Sequence, residues 1–310
     1  MNRVFLLGEC MIELTPSDTN AFKQSFSGDV FNTAVYLKRF VTQAKVHLIT
    51  AIGKDKFSLA MLEYFHRQHI ETSFVFQSDY KIPGLYAIQT DEVGERSFTY
   101  WRENSAARGV MSFIDAQVVE SISTGDIVFF SGISLAVISP SDRSKFWQFI
   151  KQLKDGGAIL VFDPNYRAKM WDSSRQAKEQ FEQAFIFADI LLPGVDDFEQ
   201  LYGLKTPKAV YDFCKPYQFD ELVIKNGEAD IVCHIGEHTY HFPIIPVENV
   251  VDTTSAGDSF NGVYLGARIK GIEISDAIEL ASKAAGFVIQ HHGAIVDQCA
   301  YQKFINEQLN

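Results

Sequence analysis

From Asp126 onward the chain alternates short apolar runs with amphipathic segments, and this rhythm constrains the fold more than any other feature. Ile127–Phe130, Ala158–Phe162, Ile190–Leu192 and Glu221–Lys225 read as strands. Pro140–Lys154, ending at Gly156-Gly157, and Gln176–Phe187, Lys208–Cys214, Asp276–His291 and Gln298–Leu309 read as helices. Nearer the start, Val4–Leu7 and His47–Ile52 are strands closed by Gly8 and Gly53, with Phe74–Phe76 a shorter one. Ala34, Leu37, Phe40 and Val41 fall at helical spacing, and Ser58–His69 is a second helix. Strands apolar on both faces and separated by helices imply a parallel sheet covered on both sides. Ligands of such sheets bind beyond the carboxyl ends of the strands. Polar clusters at 163–167, 193–197, 225–227 and 252–258 all fall there.

Two regions break the rhythm. Gly84–Glu103 reads as strand, turn, strand with no helix between, which predicts a hairpin. Met11–Phe26, carrying Pro16, reads as irregular structure or edge strands. Together they predict a small antiparallel sheet apart from the main one. A second hairpin is expected from Ile231–Ile235 and Tyr240–Pro243, within a β-like run from Tyr240 to Val251.

That run leads into Asp252-Thr253-Thr254-Ser255-Ala256-Gly257-Asp258, followed by apolar periodicity over Phe260–Ile269. Small residues at 255–257 let the free N–H groups of a helix start converge, which makes an anion site. Asp258 sets a carboxylate beside it. Such a carboxylate repels a bound phosphate unless it takes a proton from an attacking hydroxyl. Taken locally, the stretch reads equally as an N-cap cluster on an ordinary helix.

Composition narrows the function classes. The chain has 310 residues, 46% of them hydrophobic, enough for one large α/β domain spanning 1–310. A net charge of −11 argues against nucleic acid or an anionic membrane as the partner, and obliges any enzyme of anions to use local Arg or Lys. Cys10, Cys214, Cys233 and Cys299 are scattered without C-x-x-C spacing, as expected of reduced thiols in a cytoplasmic protein. The N-terminal apolar run is short and interrupted by Glu9, unlike a signal peptide, and no run of membrane-spanning length follows. Neither a Walker A loop nor G-x-G-x-x-G occurs.

Gly28-Asp29-x-x-Asn32 and Asp252–Asp258 resemble the two motifs of the ribokinase-like (PfkB) carbohydrate kinases. The resemblance runs nearly end to end, through Gly8–Leu14, Pro83–Tyr86, Thr99–Arg102, Ser131–Leu135 and Asn165-Tyr166-Arg167, and is strongest toward the branch acting on 2-keto-3-deoxy sugar acids. It implies a three-layer α/β/α domain with a mostly parallel central sheet and a small antiparallel lid from about 11–27 and 84–103. It implies ATP with Mg²⁺, a sugar-acid acceptor, and possible pairing of two copies through the lid.

The resemblance also implies roles. Asp258 is the base for the C6 hydroxyl, and the backbone N–H groups of Ser255, Ala256, Gly257 and Asp258 form the anion hole. Gly28, Asp29, Asn32, Tyr86, Tyr100, Arg102, Ile133 and Arg167 meet the acceptor, the arginines taking its carboxylate with their planar fork. Asn165, Lys225, Asn226, Gly227, Ser255, Gly257 and Ser282 face the nucleotide. No all-protein metal cage is expected, and Asp197 meets Mg²⁺ through water at most. Where many relatives have Asn-x-x-Glu, this chain has Gly194 and Asp197, and Ser27 replaces the usual first Gly of the N-terminal motif. Thr253 and Thr254 read as structural caps. The alternatives are another sugar or sugar-acid kinase of the family (an epimeric 2-keto aldonate, fructose or ribose) or a non-catalytic sugar-acid sensor.

Overall fold

Val4 and Leu6 belong to one hydrophobic core and Phe5 and Leu7 to another, so the first strand is buried on both faces. In the computed structural model, which describes residues 3–18, 21–90 and 96–309, that strand lies inside a large sheet, with a parallel neighbour on each side. The chain begins β1 (Arg3–Leu7), β2 (Met11–Asp18), β3 (Ala21–Ser27) and α1 (Asp29–Phe40). It continues β4 (Lys45–Ile52), α2 (Lys56–Arg67), β5 (Val75–Gln77), β6 (Leu85–Thr90), β7 (Arg96–Trp101) and α3 (Ala116–Ser121). Next come β8 (Ile127–Ser131), α4 (Gly132–Val137), α5 (Arg143–Asp155), β9 (Ile159–Asp163), α6 (Ser174–Phe187) and β10 (Ile190–Leu191). The last part is α7 (Val195–Tyr202), α8 (Pro207–Cys214), β11 (Glu221–Ile224), β12 (Ile231–Ile235), β13 (His238–Phe242), α9 (Ala256–Ile269), α10 (Ile274–Val288) and α11 (Gln298–Leu309).

The large sheet has the order β13-β12-β11-β10-β9-β8-β1-β4-β5. Pairing is parallel from β11 to β5, and β12 and β13 add an antiparallel edge. Residues of α1, α2, α9, α10 and α11 fill the core on one face, and those of α3 to α8 the core on the other. This is the ribokinase-like three-layer architecture expected from the sequence. The small sheet, β3-β2-β6-β7, joins two antiparallel pairs through a parallel β2–β6 pairing and has its own apolar cluster of Met11, Tyr86 and Ile88. None of the helices among the described residues is long and apolar enough to cross a membrane.

Several elements differ from the sequence reading. The described residues of Met11–Phe26 form two strands rather than irregular structure: β3 is an edge strand, as one reading allowed, but β2 is an inner strand of the lid. Pro16 is tolerated because β6 pairs only with Ile12–Leu14, leaving no partner for the missing N–H. The β-like run to Val251 stops at Phe242, where Pro243 and Pro246 interrupt the ladder. Helices α3, α4 and α7 went unread, α3 and α4 because they have only six residues each and α7 because it begins inside the polar cluster at 193–197. α7 then closes on Gly203 in the left-handed conformation, at φ 76°.

The contact that sets the site is α9 on α1. A Cβ on Gly262 would stand 2.6 Å from the Thr33 carbonyl oxygen and 2.8 Å from the Leu37 nitrogen, and one on Gly266 2.8 Å from the Phe40 ring. The two backbones therefore touch. Matching 262 to 33 and 266 to 40 makes the helices run the same way, so both N-termini open on the carboxyl edge of the sheet. Gly262→Ala should force them apart at a cost of about 1–3 kcal/mol, the usual range for overpacking. Urea unfolding checks this, and a parent-like midpoint would refute the close contact.

Candidate active site

Where the two helices meet, Asn32 on α1 donates its amide to Asp258 Oδ2 at 2.9 Å. The amide is oriented from behind, because Ser27 Oγ and the Gly28 N–H both point at Asn32 Oδ1, at 3.3 and 3.4 Å. Ser27 thus has a use that a glycine could not supply. Gly28 is required by space, since its Cβ would fall 2.2 Å from the Glu9 carbonyl oxygen. The Asp258 carboxyl is pushed up to about 7, first by desolvation and then by the charge of Asp29, with Asp163 adding and the Asn32 hydrogen bond pulling back.

Ser255 caps α9 with its backbone in the left-handed region, at φ 67°, and its side chain makes no cap bond. The threonines do not cap the helix either. Asp252 orders the turn instead, accepting from Thr254 N–H at 3.1 Å and Gly293 N–H at 2.8 Å. Ala256 N–H turns back to the Thr253 carbonyl at 3.3 Å. Gly257 and Asp258, in the first turn, have no acceptor within the helix for their N–H groups.

On the lid side of Asp258, Asp29 accepts from Ser131 Oγ and from Asn165 Nδ2 at 3.0 Å, and burial raises its carboxyl. Asn165, expected to face the nucleotide, has its amide on Asp29 and its backbone at φ 32°. Ile133 is partly exposed in the first turn of α4, next to Ser131. Tyr86 is buried and commits its hydroxyl to Glu13, whose other oxygen takes Ser25 Oγ at 2.6 Å. Tyr100 is 45% exposed, its ring 5.6 Å from that of Tyr86 and beneath the Arg102 guanidinium. Both arginines already have acidic neighbours: Arg102 pairs with Glu9, and Arg167 lies 3.7 Å from Asp197.

On the other side, Lys225 ends β11 with Nζ 3.1 Å from Asn261 Oδ1 and 3.5 Å from Asp163 Oδ1. Asn261 completes the triangle by donating to Asp163 Oδ2 at 2.7 Å. Asp197 accepts from Tyr166 N–H at 2.8 Å, and its carboxyl is pushed up to about 6 by burial and then by the charge of Asp163. Gly194 leaves room for this carboxylate, since a Cβ there would meet Asp197 Oδ2 at 3.0 Å. Beyond Lys225 opens a cleft of about 820 Å³ with a largely apolar wall, including Ile244, Pro246, Val247 and Ile289. Gly227, Gly257 and Ser282 line it too, with the Ser282 hydroxyl turned back to the Ile278 carbonyl at 2.8 Å. The neighbouring Asn226 accepts the Ala229 N–H at 3.0 Å in the turn after β11.

Sequence reasoning missed three polar residues here. Asp163 opens a cluster that it did single out, Asn261 follows Asp258 by one helical turn, and Glu9 is a charge interrupting a buried apolar run.

A carboxylate at a helix N-terminus, flanked by a lysine-bordered cleft, is the arrangement of an α/β phosphotransferase. The chain belongs to the pfkB family of carbohydrate kinases, whose family profile matches residues 1–299. It is 36% identical over 300 residues to the 2-dehydro-3-deoxygluconokinase of Escherichia coli (strain K12), covering 95% of this chain and 97% of that one. Its fold matches aminoimidazole riboside kinase from Salmonella enterica, complexed with aminoimidazole riboside and an ATP analogue, at TM-score 0.84, 22% identity and 99% of both chains. The fructokinase from Vibrio cholerae O395, in its fructose, ADP and calcium ion bound form, superposes at TM-score 0.84 with 23% identity over 98% of this chain and 99% of that one.

The neighbours of Asp258 make its titration a test of the geometry. Carboxylate-detected NMR should place its midpoint near 7, moved upward in Asn32→Ala and downward in Asp29→Asn. A carboxyl raised from 3.8 to about 7 on folding contributes stability below the lower value that is lost as pH rises through the upper one. Asp258→Asn should therefore melt higher than the parent at pH 8, by a margin that closes toward pH 4. A margin independent of pH would mean that Asp258 is not desolvated as described.

Proposed function

We propose that this kinase transfers the γ-phosphoryl group of ATP to the C6 hydroxyl of 2-dehydro-3-deoxy-D-gluconate, giving 2-dehydro-3-deoxy-6-phosphogluconate. The observation that carries the reading is the Asp258 carboxylate, poised near neutrality by burial and Asp29 and held by Asn32 at the first turn of α9. Its oxygen takes the hydroxyl proton as the acceptor oxygen bonds to the γ-phosphorus and the bond to the β-phosphate oxygen breaks. The Gly257 and Asp258 N–H groups and the positive end of the α9 dipole hold the charge on the transferred group. Lys225 neutralises phosphate oxygens from the opposite wall, and the cleft lined by Ile244, Val247 and Ile289 takes the adenine.

The carboxylates suit a cation that arrives with the nucleotide. Asp163 Oδ1 is buried without a hydrogen-bond partner, and Asp197 lies close enough to feel its charge. No group of three or more metal-ligating side chains occurs among the described residues. Mg²⁺ would be held mainly by phosphate oxygens and water, with Asp163 and Asp197 as outer contacts. Its contribution when bound is to offset phosphate charge.

The sugar acid as acceptor is supported by the 36% identity to a 2-dehydro-3-deoxygluconokinase and by Arg102 and Arg167 beside the lid. A neutral sugar is the second reading, favoured by the fact that both arginines already face carboxylates. The sensor alternative has no use for a base with a carboxyl near 7. Reaction in the cytoplasm agrees with reduced, unbridged cysteines, and exposed Phe22, Phe98 and Trp101 on the lid support pairing of two lids.

A substrate panel separates the readings: ADP release is expected with 2-dehydro-3-deoxygluconate, and turnover of fructose or ribose alone would replace the acceptor. Asp258→Asn should lower kcat by about 10²–10⁴-fold, the range for a lost general base; unchanged turnover would remove Asp258 from the mechanism. The nearest atom to a Cβ on Gly257 is Lys225 Nζ, 3.9 Å away. Gly257→Ala should thus melt like the parent yet raise KM for ATP several-fold, because the methyl occupies the phosphate gap. A normal KM would move the phosphates elsewhere.

A further inference from the structure

Arg102 leaves the last strand of the lid facing the core, and the side chain that meets it is Glu9, the second residue beyond β1. The pair is withdrawn from water, with the Glu9 side chain 1% and the Arg102 side chain 12% exposed. The second carboxylate oxygen, Glu9 Oε1, is buried without a hydrogen-bond partner among the described residues, over the space left by Gly84, whose Cβ would stand 2.8 Å away. Buried carboxylates ordinarily collect hydrogen bonds on both oxygens. This one spends its charge on a single guanidinium. The opposite end of the guanidinium is barely used, since Nη1 faces only the Met170 sulfur at 3.7 Å. Thioether sulfur is a weak acceptor, and arginine has five donors in a rigid fork.

We infer that Glu9 is a positioning and selectivity residue: it fixes the Arg102 guanidinium, turns the free edge toward the acceptor's carboxylate, and by its charge sets how tightly an anionic acceptor is held. The inference rests on the reading that Arg102 meets that carboxylate. A sugar acid there completes a row of carboxylate, guanidinium and carboxylate. The fixed orientation favours binding, and repulsion between the two outer charges opposes it. The two effects are separable by substitution. Glu9→Gln keeps an oxygen for Arg102 and removes the charge; Glu9→Ala removes both.

Calorimetric titration of the full chain with 2-dehydro-3-deoxygluconate, and separately with a non-hydrolysable ATP analogue, tests this. Glu9→Gln should bind the sugar acid more tightly than the parent, on the order of tenfold for one like charge removed from a partly screened site. Glu9→Ala should bind it more weakly, also on the order of tenfold, as the guanidinium loses its anchor. The ATP analogue should bind all three proteins alike. Opposite shifts confined to the sugar acid support the inference. Equal weakening in both variants, or shifts shared by the nucleotide, assign Glu9 a structural role and overturn it. Glu9→Gln, nearly isosteric, carries the test by itself if Glu9→Ala does not fold. A parent that binds the nucleotide but no sugar acid sinks the acceptor assignment and this inference with it, whereas a binding parent with indistinguishable variants sinks the inference alone.

Discussion

The direct contact of α1 and α9 is the constraint on which the rest of the site depends. Neither helix carries a complete functional group. α1 brings Asn32 and Asp29, α9 brings Asp258 and Asn261, and they become a site only because two glycines let the backbones touch. Parallel packing adds an electrostatic consequence. Both helices present the positive ends of their dipoles to one cleft, in a chain with a net charge of −11. Local fields of that kind let an acidic protein receive anions.

The same cleft holds an excess of carboxylates. The charge of Asp163 helps raise the carboxyls of Asp29, Asp197 and Asp258, that of Asp29 raises Asp258 further, and the nearby cations are Lys225 and Arg167. Burial and mutual repulsion favour protonation, and the cost of keeping these groups charged is met by hydrogen bonds from Asn32, Asn165 and Asn261. Asparagine suits this use because its amide donates to a carboxylate without adding a positive charge. Proton affinity at Asp258 is thereby tuned in part by a neutral group, while Lys225 is held by Asn261 and Asp163 at the border of the cleft.

Much of this architecture was legible in the sequence, for identifiable reasons. The buried strands are continuous apolar runs and the helices between them are long, so the parallel sheet and its carboxyl-edge clusters could be read directly. The hairpin at 84–103 stood out because no helix fits between its strands. What could not be read depends on distance in space. Pro16 obscured β2, because only the register with β6 shows that its missing N–H is unneeded. α4 and α7 are short, and their starts look like loops. The site residues named by motif do converge on one edge, but Asn165 turned to Asp29 and the Tyr86 hydroxyl to Glu13. Glu9 and Asn261 sit in buried runs where a polar residue looks like an interruption until its partner is known.

Strand β1 is an inner strand of the core sheet, between β8 and β4, and after Gly8–Cys10 the same chain becomes β2, an inner strand of the lid. One length of backbone thus runs through both sheets. The lid and the carboxyl edge of the core are joined by the short link Gly8–Cys10, in which Glu9 also meets Arg102 at the end of the last lid strand. Under the proposed assignment, a lid displaced by the acceptor would bend the chain at Gly8–Cys10, beside the carboxyl edge where the phosphates are proposed to lie.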